Sequence, residues 1–233
     1  MEVTVECDLR HQFGPARDQG ARPTCMAFAA SDAHAAARSG WVPLSCEYAY
    51  FHALKRDGGY PDDGTTPGAM LAAIKENGQP PETAWPYLSG VPSNVTLWKP
   101  PANVGTVYRR ASAHDSASLA AIRKRLDTGL SVIVMMSLSD AFYRPDANGI
   151  IDAAEPPDPQ RRHAAIAVGY GTRNGRRLIL VRNSWGADWG VDGYAWVSED
   201  YLAPRLYGFA EMKEDMTNVS ADSNAANMRS SVA

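Results

Sequence analysis

The sequence predicts an α+β fold in two lobes, helices first and sheet second, and three observations carry that expectation. Alanine-loaded helical segments occupy the first part of the chain, a Pro-rich stretch at 79–107 breaks the pattern, and apolar, β-branched runs dominate from Ser131 onward. Runs of helices followed by runs of strands favour α+β over an alternating α/β sheet. With 233 residues, 45% of them hydrophobic, the chain can bury one substantial core or two small ones. Residues 1–212 read as one folded unit, with a helical lobe at about 19–107 and a β-rich lobe at about 108–212 that also takes in the N-terminal segment.

Val3 to Leu9 reads as a short strand, and His11 to Thr24 is rich in Gly, Pro and polar residues, as an irregular segment should be. Cys25 to Arg38 is loaded with alanine, starts after Pro23 and Thr24, and stops at Gly40, so Cys25 falls in the first turn of a helix. A second helix is expected over Cys46 to Arg56, ended by Asp57-Gly58-Gly59, and a third over Pro67 to Glu76, ended by Asn77-Gly78. His114-Asp115-Ser116 is expected to cap a further helix that ends near Leu126. Ser131 to Met136 has the look of a buried strand; Ala164 to Gly171, Arg177 to Arg182 and Gly193 to Val197 follow as strands between Gly and Asp turns. From Lys213 onward there is little to bury, so 213–233 is expected to be a disordered tail.

Lys and Arg number 23 against 26 Asp and Glu, a formal charge of -3, and the charges are interspersed. No basic field exists to hold a phosphate backbone, so neither nucleic acid nor an anionic membrane is an expected partner. No window approaches the length of a membrane span, and Met1 to Arg10 lacks the basic start and apolar run of a signal peptide, which points to a soluble, cytoplasmic protein. Cys7, Cys25 and Cys46 contain no CxxC pair, so neither a disulfide framework nor a zinc site is expected, and a reducing compartment suits them. No metal or cofactor is expected, and a monomer is the default assembly.

A thiol attacks a carbonyl well only as thiolate, and a helix N-terminus favours the anion through its unpaired N–H groups and dipole. Cys25 has that position, although free cysteines are mostly core residues, and one packed within Ala27-Phe28-Ala29 fits that use. Thiolate chemistry also needs a base that later protonates the leaving group, and a third group that fixes the base. Of five histidines, His11 lies in a loop, His34 and His52 in helices and His114 beside a cap, all ordinary surface or capping places. His163 differs because it opens an apolar strand directly after a polar loop. Asn183 ends a strand and begins Asn-Ser-Trp-Gly, where it is either a turn residue or the group that orients His163, with Trp185 covering the bond.

Asp18-Gln19-Gly20, Cys25 followed by Ala27-Phe28-Ala29, His163-Ala164 running into Val168-Gly169-Tyr170-Gly171, and Asn183-Ser184-Trp185-Gly186 with Trp189-Gly190 and Gly193-Tyr194 stand in the order and spacing of the papain family. His163 follows Cys25 by 138 residues, inside the interval of about 130 to 150 expected there. The chain therefore resembles papain-like cysteine peptidases from about Leu9 to Val197. The resemblance implies a cleft between a helical lobe and a barrel-like β-rich lobe, a peptide or protein substrate, and Cys25 as nucleophile. It further implies His163 as acid/base, Asn183 as its holder, Gln19 as oxyanion donor, and a resting thiolate–imidazolium pair. Gly64 to Gly68 would form part of the non-primed wall; Pro67, Ile133 and Ala164 would line the apolar pocket for the second residue before the scissile bond, and Trp185 would border the substrate. The pocket floor is expected from Leu202 to Gly208.

The sequence departs from the family at Met26, where tryptophan is usual, and at Arg22, where a disulfide cysteine is usual. The chain starts about where a mature family enzyme would, so activity without removal of a propeptide is expected. Asp152 to Arg162 is expected to be a solvated loop that sets a positive Arg162 beside His163. Two alternatives remain open: acyl transfer to an amine through the same thioester, and a catalytically weak module that binds peptides or a partner.

Overall fold

The computed structural model describes residues 2–38 and 40–217. Three helices, α1 (Cys25–Ala36), α2 (Cys46–Asp57) and α3 (Pro67–Glu76), form the first part. Ser45 Oγ accepts the Tyr48 N–H at 3.1 Å to start α2, and Thr66 Oγ accepts the Ala69 N–H at 3.2 Å to start α3, with Pro67 in its first turn. α2 ends at Gly58, whose φ of 71° a side chain would resist. α1 has no polar stripe: every residue from Met26 to Ala35 is buried, as expected of a helix enclosed on all sides. It packs against α2 and α3 on one flank and against the sheet on the other. Its alanines allow that close approach, and they leave its first turn at the seam between the two halves.

The remaining elements are β1 (Thr4–Asp8), β2 (Arg110–Asp115), α4 (Leu119–Asp127), β3 (Val132–Leu138), α5 (Asp140–Tyr143), β4 (Ile150–Ile151), β5 (Asp158–Arg173), β6 (Arg176–Arg182), β7 (Tyr194–Ser198), α6 (Glu199–Leu202) and β8 (Leu206–Asp215). The sheet runs β2-β8-β3-β5-β6-β7-β4, with β1 paired to β5. Met136 and Met135 of β3 pair with His163 and Ala164 of β5, while β6 lies on the other edge. Farther along β5, β1 takes over, and two glycines explain how. A Cβ at Gly169 would fall 2.3 Å from Cys7 O and one at Gly171 2.4 Å from Thr4 O, so the Val-Gly-Tyr-Gly run is a seat for β1.

Three expectations are corrected. His114 and Asp115 belong to β2 and do not cap α4; Ser118 does, accepting the Ala121 N–H at 3.2 Å. β5 begins at Asp158, so the second half of the expected loop is strand, pairing from Leu138↔Asp158. β8 extends to Asp215, and Met216 N–H donates to Arg109 O at 2.9 Å, so 213–217 are held by β2 and its neighbours instead of trailing as a tail. Short polar strand ends look like loops in sequence because their stability comes from a partner strand far along the chain. The rest of the expected tail, 218–233, lies outside the described residues.

Candidate active site

Cys25 opens α1 and is half-buried. His163 sits on β5 and Asn183 immediately after β6, so antiparallel pairing of these two strands (Ile166↔Arg182) sets their side chains near one another. Asn183 Oδ1 accepts from His163 Nε2 at 2.7 Å and from the Ser184 N–H at 2.9 Å. A backbone N–H can only donate, so the atom it meets is the amide oxygen, and His163 must carry its proton on Nε2. Nδ1 is then the unprotonated nitrogen, and His163 and Cys25 line the same cleft.

The ring of Trp185 lies 4.9 Å from that of His163, and Phe142 lies 5.6 Å away on another side. These rings leave His163 only 4% exposed, and the His163–Asn183 bond is sheltered from water, where it is electrostatically stronger. Burial pushes His163 down to about 4, against a smaller opposing pull from Asn183. Burial also pushes the Cys25 thiol up, while backbone hydrogen bonding at Ala164, Met26 and Cys25 pulls it back. Each shift acts on one group beside a neutral neighbour. A proton passed from Sγ to Nδ1 makes two charges that stabilise one another in the same shielded cleft, so the pair gains jointly what each loses alone.

Gln19 is held by four hydrogen bonds: its backbone N–H donates to Ser184 O at 2.9 Å, its carbonyl accepts from Tyr87 OH at 2.8 Å, its Oε1 accepts from Ser184 Oγ at 2.7 Å, and its Nε2 donates to Arg22 O at 2.9 Å. Among the described residues, its other Nε2 hydrogen has no acceptor. Gln19 and Asn183 are thus joined through Ser184, a link that sequence spacing does not reveal. A second link ties the helices to the sheet: Asp32 of α1 accepts from Arg17 Nε at 2.7 Å and from Arg182 Nε at 3.0 Å, and Arg182 directly precedes Asn183. The helix carrying Cys25 and the strand leading into Asn183 are therefore pinned to each other through one buried carboxylate.

The cleft holds about 630 Å³ and includes Pro67, Met135, Ala164, Arg162 and Tyr207 beside the two central residues. Pro67 and Ala164 line it. Ile133 does not: it is fully buried, and Met135, two residues on along the same face of β3, lines the cleft in its place. The alternation of strand side chains was the signal that would have found Met135. Tyr207 comes from the stretch expected to supply the floor. Trp185 borders a separate recess with Tyr143 and Trp189, and it stacks on Tyr143 at 5.1 Å.

Arg22, in the place of a family cysteine, is buried against Glu47, its Nη1 donating to Glu47 Oε2 at 2.8 Å and to Leu88 O at 2.7 Å. Its Nε donates to Pro61 O at 3.3 Å, so the ion pair ties the segment after Gln19 to α2 and to the 61 and 88 loops.

A cysteine at a helix start and a histidine on a strand, sharing the seam between helices and sheet, define a papain-like fold. The chain belongs to the papain family of cysteine proteases, whose family model matches residues 3–213. A cysteine protease of Blomia tropicalis is 27% identical over 208 residues, 83% of this chain and 60% of that protein. The oryzain gamma chain of Oryza sativa subsp. japonica is 31% identical over 191 residues, 77% of this chain and 50% of that protein. The chain thus spans 60% or less of the length of these relatives. Among solved structures, xylellain, a cysteine protease from Xylella fastidiosa, matches with a TM-score of 0.71 at 22% identity, over 91% of this chain and 87% of that one. Digestive procathepsin L 3 of Tenebrio molitor matches at 0.72 and 18%, over 92% and 71%. At such identities the structural likeness bears on the fold alone.

Proposed function

We propose that the chain hydrolyses peptide bonds in peptides or proteins through a thioester on Cys25. What carries this reading is the tautomer of His163: its Nε2–H is taken by Asn183, which leaves Nδ1 as a base in the cleft that Cys25 lines. Nδ1 takes the thiol proton as Sγ bonds to the scissile carbonyl carbon. The oxyanion accepts from the Cys25 backbone N–H and from the second Nε2–H of Gln19. The C–N bond then breaks, and the imidazolium gives its proton to the departing amine. Water attacks the thioester while passing a proton to Nδ1, the acid leaves, and the thiolate recovers the proton.

Removing one oxyanion donor costs about 2.7 to 4 kcal/mol in comparable sites, which sets the scale for Gln19→Ala. A cytoplasmic location is part of the proposal, since Cys7, Cys25 and Cys46 are all free. Among the described residues no helix is long and apolar enough to cross a membrane. The reading is tested by incubating the purified chain with a peptide library and reading cleavage sites by mass spectrometry, beside Cys25→Ala. Cleavage by the parent and none by the variant is expected. Substantial turnover by Cys25→Ala would overturn the nucleophile.

A further inference from the structure

We infer that Arg162 makes the chain select peptides that bring an acidic side chain, Asp or Glu, into the pocket formed by Pro67, Met135, Ala164 and Tyr207. The inference rests on the peptidase reading and names the substrate class of that site.

Arg162 stands on β5 directly before His163 and is exposed in the cleft. Its guanidinium lies 6.0 Å from the centroid of the Tyr207 ring, and among the described residues no carboxylate pairs with it. Its neighbour Arg161 is differently placed, engaged by Asp140 at 2.5 Å and Asp158 at 3.1 Å. The base of the pocket is apolar, since Met135 and Ala164 are buried there. Tyr207 is 48% exposed at the rim. Burial raises its phenol, negative charge on Cys25 adds to the rise and Arg162 pulls it back, so the hydroxyl stays protonated and can donate. A cation and a hydroxyl donor thus share one rim above an apolar base.

Two carboxylates also line the cleft, from the helical side, and both are already engaged. Asp57 accepts from Thr65 Oγ at 2.7 Å, Thr66 N at 2.9 Å and Thr66 Oγ at 2.8 Å, and Asp63 accepts from Tyr60 N at 2.7 Å. They hold the wall, and Arg162 is left to meet the ligand. A substrate that covers a solvated guanidinium with an apolar or basic side chain strips its water and gives nothing back. A carboxylate replaces that water with paired hydrogen bonds, for which the planar guanidinium is shaped.

The test compares the parent with Arg162→Gln and Arg162→Glu on a peptide series carrying Glu, Gln or Lys at the second residue before the scissile bond. Cleavage is read as kcat/KM, and binding as anisotropy of the fluorescein-labelled peptides on Cys25→Ala chains with and without Arg162→Glu. We expect the parent to favour Glu over Gln by about fivefold, as a half-exposed charge pair supports. Arg162→Gln should remove that preference, Arg162→Glu should turn it toward Lys, and 1 M NaCl should narrow it. Cleavage with the same ranking in parent and Arg162→Glu overturns the inference and leaves the peptidase reading standing. A shifted binding ranking without any cleavage overturns the peptidase reading and supports Arg162 as the selector. Neither cleavage nor binding overturns both.

Discussion

The 2.7 Å bond from His163 Nε2 to Asn183 Oδ1 joins two neighbouring strands, and the Ser184 N–H on the same oxygen fixes which way the amide faces. His163 is therefore set in one tautomer before any substrate arrives. Among the described residues Asn183 is the one side-chain partner of its ring nitrogens, and the rings of Trp185 and Phe142 pack around it.

Asn183→Ala should lower kcat by about fivefold to 150-fold, the range expected when a buried donor loses an acceptor worth about 1 to 3 kcal/mol. KM should change little, since Asn183 does not line the substrate cleft. Steady-state kinetics on a cleaved library peptide, with a thermal melt of both proteins, checks this. An unchanged kcat in a folded variant would mean that packing by Trp185 and Phe142 holds the ring without Asn183.

The opposed burial shifts on Cys25 and His163 lead to a second test. In the parent, the thiolate has the helix N-terminus and an imidazolium to stabilise it; in His163→Ala it keeps only the helix, and burial holds the thiol protonated to higher pH. Alkylation of Cys25 by iodoacetamide at pH 6 should thus be faster in the parent, and the variant's rate should rise only as pH passes above the ordinary thiol range of about 8.5. Peptide mapping separates Cys25 from Cys7 and Cys46. Superimposable rate profiles would remove His163 as the partner of the thiol.

Much of this site was legible because its signals are local: an alanine helix with Cys25 in its first turn, and Asn-Ser-Trp-Gly at a strand end. Family spacing then joined them. What the sequence hid depends on partners far along the chain. Ser184 joins Gln19 to Asn183 across 165 positions, and Asp32 joins α1 to Arg182 across 150. Ile133 was misplaced by one step along a face, because the sequence gives the period of a strand but not the depth at which it meets the cleft. β2 and β8 were not read as strands, since β2 and the end of β8 are polar and resemble loops until the two strands pair. His34, expected at the surface, is fully buried, because α1 has no outer face.

Arg22 and Glu47, with side chains 1% and 0% exposed, make a further prediction. Removing one partner leaves a buried charge unpaired, so Arg22→Ala should destabilise by about 3 to 5 kcal/mol. Arg22→Met with Glu47→Leu should recover a good part of that, since a buried pair replaced as a unit leaves no orphan charge. Urea unfolding of the parent, Arg22→Ala and the double variant measures both effects. The parent's melting temperature should not move with reductant, because the tie is ionic; a drop on adding reductant would show that a thiol linkage contributes.

His34 predicts how the fold responds to acid. Its ring is fully buried on α1, Nδ1 lies 3.0 Å from Gln79 Oε1, and Nε2 has no partner among the described residues. Burial pushes its pKa down to about 4; Arg110 and Arg38 push in the same direction, while Gln79 and Asp215 pull back. The ordinary value is 6.5, so between pH 6.5 and 4 the unfolded chain takes up a proton that the folded chain refuses. Stability from this group is complete above 6.5 and falls as pH drops toward 4, at about 1.4 kcal/mol per pH unit at most. His163 slopes the same way and stays in both proteins of the comparison. His34→Gln keeps a polar group facing Gln79 and removes the titration. Between pH 7.5 and 4.5 the parent should therefore lose about 2 to 3 kcal/mol more than the variant, even where the variant is the weaker protein at pH 7.5. Urea midpoints of both proteins across that range measure the difference, and parallel curves would mean that His34 takes up its proton in the folded state as readily as in the unfolded one.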